Sequence, residues 1–71
     1  MLRLTVERKK RRISQMQLAA LTGIHPSNLS RIERGVVPAY RGWRLRIAKA
    51  LGWPLERADE LFEEVEERRV R

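Results

Sequence analysis

The chain contains no cysteine and one histidine, so it has neither disulfides nor the thiolate and imidazole sets that hold zinc. No metal and no cofactor is expected. It also shows no long apolar run and no signal-peptide pattern, which points to a soluble, cytoplasmic protein with no membrane partner. No repeat, low-complexity linker or interrupting loop divides it, and 71 residues make one small domain, 1–71, with no space for a second. No nucleophile and base pair, glycine-rich phosphate loop or metal constellation can be found, and the chain is not expected to be an enzyme. Acidic residues are scarce in one portion only. Residues 1–49 hold 12 Lys/Arg against Glu7 and Glu33, whereas residues 50–71 hold four Arg against seven Asp/Glu, for a net charge of +7. A basic segment followed by an acidic one is the footprint of a protein presenting one surface to a polyanion, although charge alone predicts solubility as readily as a partner.

What is present is helical periodicity with clear punctuation. The most informative stretch is Ser14 to Gly35, SQMQLAALTGIHPSNLSRIERG, where two short helical patterns meet at a glycine with no room for a long loop. Ser14 suits an N-cap, and Leu18 and Leu21 give the first of these helices an apolar edge. Gly23 can take the left-handed conformation that ends a helix, and Ile24 resumes the apolar pattern. Pro26 fits the first turn of the second helix, where a missing N–H costs nothing, and Leu29 and Ile32 sit three apart on its buried face. Gly35 supplies the second stop. Ala19 stands where two helices joined by so short a turn must approach closely.

Five helices are predicted, an all-α, compact bundle. The first runs from Leu4 or Thr5 to Arg11, with Leu2, Val6 and Ile13 as its apolar contacts and Leu4 off that stripe. The second covers Ser14 to Thr22 and the third Pro26 to Arg34, after which Val36, Val37 and Pro38 resist helix continuation. The fourth covers Arg41 to Leu51, with Trp43, Ile47, Ala48 and Leu51 inward, and Gly52 closes it. A final acidic amphipathic helix is expected over about 55–68, with Leu55, Ala58, Leu61, Phe62 and Val65 as its apolar stripe and glutamates outside.

At Gln15, Leu18, Ala19, Gly23, Ile24, Leu29, Ile32 and the run from Ser30 to Gly35, the chain resembles the lambda repressor and Cro-like helix-turn-helix family. This is also called the xenobiotic-response-element family of bacterial and phage regulators, and a weaker match continues from Ile47 to Gly52. Three departures stand out: His25 replaces the usual Ser, Thr or Asn N-cap, Arg12 stands where glycine is common, and Val36 to Trp43 needs a one-residue shift. The resemblance implies a lambda repressor-like fold and base reading from the positions held by Pro26, Ser27 and Arg31, with Asn28 beside them. It further implies that Gln15 holds a phosphate and braces the recognition helix, and that Arg8 and Glu33 form a buried pair.

The residues support the same assignment by chemistry. Ser27, Asn28 and Arg31 lie on the solvent side because Leu29 and Ile32 claim the core side. Arg31 can give guanine O6 and N7 two hydrogen bonds, Asn28 can pair with adenine, Ser27 is less selective, and Pro26 offers only an apolar contact. Gln17, Arg34 and Arg41 are candidate backbone contacts, with plain surface or a helix-dipole role as the alternative. His25 has no partner for metal binding and reads as a helix-start residue near phosphate. Trp43 and Trp53 sit beside apolar helix positions and read as core. The expected partners are double-stranded DNA, a second copy in a homodimer and a further protein through the C-terminal helix. The leading function is a sequence-specific transcriptional regulator, a repressor or a controller or antitoxin at a palindromic operator. The alternative is a protein–protein adaptor working through the last helix. An RNA-binding module would call for exposed aromatic stacking platforms, which the pattern lacks.

Overall fold

A computed structural model describes residues 1–66. Its elements are α1 (Arg3–Lys10), α2 (Gln15–Thr22), α3 (Pro26–Glu33), α4 (Arg41–Leu51) and a 3-10 helix (Leu55–Phe62), so the all-helical, five-element expectation holds. Every element gives at least one fully buried aliphatic side chain to a single core: Leu4, Leu18, Leu29, Ile32, Ile47 and Leu61. Each contributes roughly 1.5–3 kcal/mol on burial. Ala19, Ala48 and Ala58 are buried as well, small residues that let neighbouring backbones close up. α2 packs on α3 and α4, α4 packs on the 3-10 helix, and the 3-10 helix carries α1.

The turn between α2 and α3 is built as its residues dictate. Gly23 closes α2 in the left-handed region at φ 75°, its N–H reaching the Ala19 carbonyl at 2.8 Å. Thr22 turns its hydroxyl back to the Leu18 carbonyl at 2.8 Å and accepts the Ile24 N–H at 3.2 Å, so the buried corner leaves no orphaned hydroxyl. At the far end of α3, Gly35 at φ 76° allows a Schellman closure, with Val36 N–H donating to the Arg31 carbonyl and Gly35 N–H to Ile32.

Three expectations fail for identifiable reasons. Leu21 is 62% exposed, and α2 instead buries Leu18, Ala19 and Thr22. At about 100° per residue these three share an arc whose centre lies roughly 107° from Leu21. On α1 the buried positions are Leu4, Thr5 and Arg8, while Val6 is half-buried. Leu2 misled the phase because it is the extended residue before the helix, not part of it.

The last helix is the third correction. It is a 3-10 segment that kinks at Arg57 and gives way at Glu63 to extended backbone, with Leu55 exposed and Val65 beyond it. The remainder of the expected span, 67–68, lies outside the described residues. The run of glutamates from position 60 places like charges three and four apart, which disfavours an α-helix. The extended alternative finds partners: Arg3 N–H donates to the Glu63 carbonyl at 2.9 Å and Val65 N–H to Met1 at 2.8 Å, around an antiparallel Leu2 to Glu64 bridge. Arg44 ties α4 to this region, donating to Ala39 and Asp59 at 2.9 and 3.0 Å and stacking 4.8 Å from the Phe62 ring.

Candidate nucleic-acid interface

The surface in question is organised by one buried carboxylate. Glu33, the last residue of α3, receives the Arg8 guanidinium in a two-point contact of 2.8 and 3.1 Å and the Gln15 side-chain amide at 3.1 Å. Arg8 also donates to the Ile13 carbonyl at 2.8 Å. Both charged side chains are nearly closed off from solvent, so this network joins α1, α2 and α3 and fixes the rotation of α3 about its axis. The Arg8 to Glu33 pair implied by the family resemblance is present. Gln15 reaches the recognition helix directly.

On α3, Leu29 and Ile32 are buried while Ser27 and Arg31 are exposed and Pro26 and Asn28 are half-buried. His25 caps the helix: its Nδ1 accepts the Ser27 N–H at 3.1 Å and lies 2.8 Å from the Ser27 hydroxyl. Accepting the amide places the ring proton on Nε2, so the capping form is the neutral ring. His25→Ala is expected to lower stability by about 0.5–2 kcal/mol in urea denaturation, with His25→Ser restoring most of it. An alanine variant as stable as the parent would show that the ring does not cap.

Gln17 turns out to have a structural task. Its side-chain oxygen accepts the Ser14 N–H at 2.8 Å while the Ser14 hydroxyl accepts the Gln17 N–H at 3.0 Å, a reciprocal capping box. The signal was available in the spacing Ser-x-x-Gln before an apolar run. Its amide nitrogen has no partner among the described residues and remains free for an external acceptor.

The cations divide into two groups. Arg11 donates to the Leu51 carbonyl and to Glu7, and the Arg11 hydrogen bond holds the Glu7 carboxyl below the usual carboxylate range. Arg8, Arg44 and Arg57 are likewise held internally. Arg31, Arg34 and Arg41 are exposed and make no side-chain hydrogen bond or ion pair among the described residues. Arg34 caps the C-terminus of α3, and Arg41 opens α4, where a cation opposes the helix dipole unless an anion lies nearby. None of the four α-helices has an acid in its first turn. Tyr40, which sequence reasoning missed, precedes Arg41, is 69% exposed and meets Trp43 edge-on at 5.6 Å between centroids. An aromatic directly before a cation at a helix start was its only signal.

Trp43 and Trp53 are half-buried and packed against the core. Among the described residues, no three His, Cys, Asp or Glu side chains are grouped to hold a metal ion, and no helix is long and apolar enough to cross a membrane.

Two short helices joined at a left-handed glycine, the second braced from behind and polar in front, define a helix-turn-helix DNA-binding protein. A family model described as a helix-turn-helix domain matches residues 2–61, and the chain belongs to that family. This agrees with the Cro-like resemblance carried by α2 and α3. Neither the curated proteins nor the solved structures yield a match.

Proposed function

We propose that the protein is a cytoplasmic, sequence-specific double-stranded DNA-binding transcriptional regulator. It acts as a repressor, or in a controller or antitoxin role, at a palindromic operator. The observation that supports this reading is the pairing of a fixed α3 with cations on and beside it that have no partner among the described residues: Arg31 on α3, Arg34 at its end and Arg41 beyond. Arg31 and Ser27 reach base edges, while Gln15, Gln17, His25, Arg34 and Arg41 meet phosphates. One such helix reads only a few base pairs, so useful specificity calls for two half-sites about one helical turn apart and a two-fold dimer to match them. The adaptor alternative has less to stand on, since Ala58 and Leu61 are buried within the fold and the backbone is extended at Glu63 and bridged to Leu2 at Glu64.

Selection of duplexes from a random library, followed by titration across a salt series, tests the proposal. Binding is expected to weaken steeply with salt as phosphate counterions are released. Arg31→Ala should cost about 1–3 kcal/mol and relax preference at one position of each half-site. Unchanged selectivity in Arg31→Ala would reject the base-reading role, and no binding even at low salt would reject DNA as the partner.

A further inference from the structure

The turn between α1 and α2 contains the one non-glycine residue at positive φ among the described residues, Arg12 at φ 57°. The three glycines at positive φ, Gly23, Gly35 and Gly52, hold the same region without the steric penalty a Cβ brings. The geometry at Arg12 is required by the fold. Its N–H donates to the Lys9 carbonyl at 3.0 Å and the Ile13 N–H to Arg8 at 3.2 Å, the same Schellman closure that Gly35 makes for α3. Glycine would serve this closure better than any side chain.

No contact among the described residues accounts for the arginine. Its side chain is exposed and makes no hydrogen bond or ion pair among the described residues. Three of the four cations directly before it are engaged, Arg8 by Glu33 and Ile13, Lys10 by Glu7, and Arg11 by Glu7 and Leu51, whereas Lys9 is exposed and makes no side-chain contact among the described residues. Glu7 and Glu33 are the only acids before position 56, so the local carboxylates are already taken. Arg12 stands two residues before Ser14, at the end of α2 from which Gln15 reaches Glu33. The closed turn thereby sets the Arg12 backbone two residues before the N-cap of α2, with its side chain in solvent.

We propose that Arg12 contacts a phosphodiester of the DNA backbone, and that the chain carries a strained turn in order to place that charge. This rests on the DNA-binding reading above. It adds a contact at a position where the fold itself favours glycine.

Arg12→Gly and Arg12→Gln, measured for urea stability and for affinity across a salt series on a selected and a scrambled duplex, separate the possibilities. Arg12→Gly should raise the denaturation midpoint and lower affinity for both duplexes alike, with the salt slope shallower by about 0.9, one counterion. Arg12→Gln, which keeps the strain and removes the charge, should show the same shallower slope without the gain in stability. A parental slope retained in both variants would overturn the proposal while leaving the DNA-binding reading intact. Absence of DNA binding by the parent protein would overturn both.

Discussion

Glu33→Ala is expected to lower stability by about 3–5 kcal/mol, because it leaves the Arg8 guanidinium buried without a counter-charge. The Arg8 and Glu33 side chains are only 10% and 6% exposed, so water cannot take over the lost contact without opening the joint between α1 and α3. Such a loss approaches the whole stability of many small domains. Arg8 would keep its bond to the Ile13 carbonyl, holding the charge in place, and Gln15 would lose its acceptor. The double replacement Arg8→Met with Glu33→Leu should recover much of the stability, since an apolar pair of similar volume often substitutes for a buried ion pair. It should not recover DNA binding, because Gln15 would no longer be tied to α3. Urea unfolding of the single and double variants measures the first effect and duplex titration the second. A single-variant loss under about 1 kcal/mol, the range of exposed pairs, would show that the joint is not closed to solvent.

Leu61→Ala is expected to cost about 2–5 kcal/mol, the range for deleting a fully buried leucine. Leu61 is 0% exposed, and it is where the 3-10 helix enters the core. Phe62 beside it is half-buried beneath the Arg44 guanidinium, so Phe62→Glu should cost less and leave the fold intact. The comparison distinguishes a core role from an intersubunit one. Buried within one protomer, Leu61 affects the unfolding midpoint equally at all protein concentrations. If its contribution came from a dimer contact, the parent midpoint would rise with concentration and the variant's would not.

The helices were legible wherever a residue marks a boundary by its own chemistry. Ser14, Gly23, Pro26, Gly35 and Gly52 each stop or start a helix in the structure at or within a residue of the expected place. The exposed face of α3 was legible because Leu29 and Ile32, three apart, leave Ser27 and Arg31 nowhere to go but outward. The failures arose where a pattern had two readings. Leu21 has the same spacing from Leu18 as a core residue would, and only the positions of Ala19 and Thr22 show which way the helix is turned. Leu61 and Phe62 suit an α-helix by composition but end a 3-10 segment, and the carboxylates after them and the N-terminal backbone beside them select an extended path from Glu63. Gln17 reads by type as a DNA-backbone contact or plain surface, and its spacing from Ser14 also allows the cap that it makes.

The antiparallel pairing of residues 1–3 with 63–65 also joins two segments that are synthesised far apart in time. α2 contacts both α3 and α4, and all three are complete once Leu51 has been made. α1 meets α3 through Arg8 and the end of α4 through Arg11, while its packing on the 3-10 helix must wait for residues 55–62. At cellular elongation rates the interval between Lys10 and Val65 is roughly 3–11 s. Throughout that time α1 lacks its bed on the 3-10 helix, although Arg8, Gln15 and Glu33, which join it to α2 and α3, are already made. A nascent chain therefore carries α1 to α4 complete well before the two paired segments can meet.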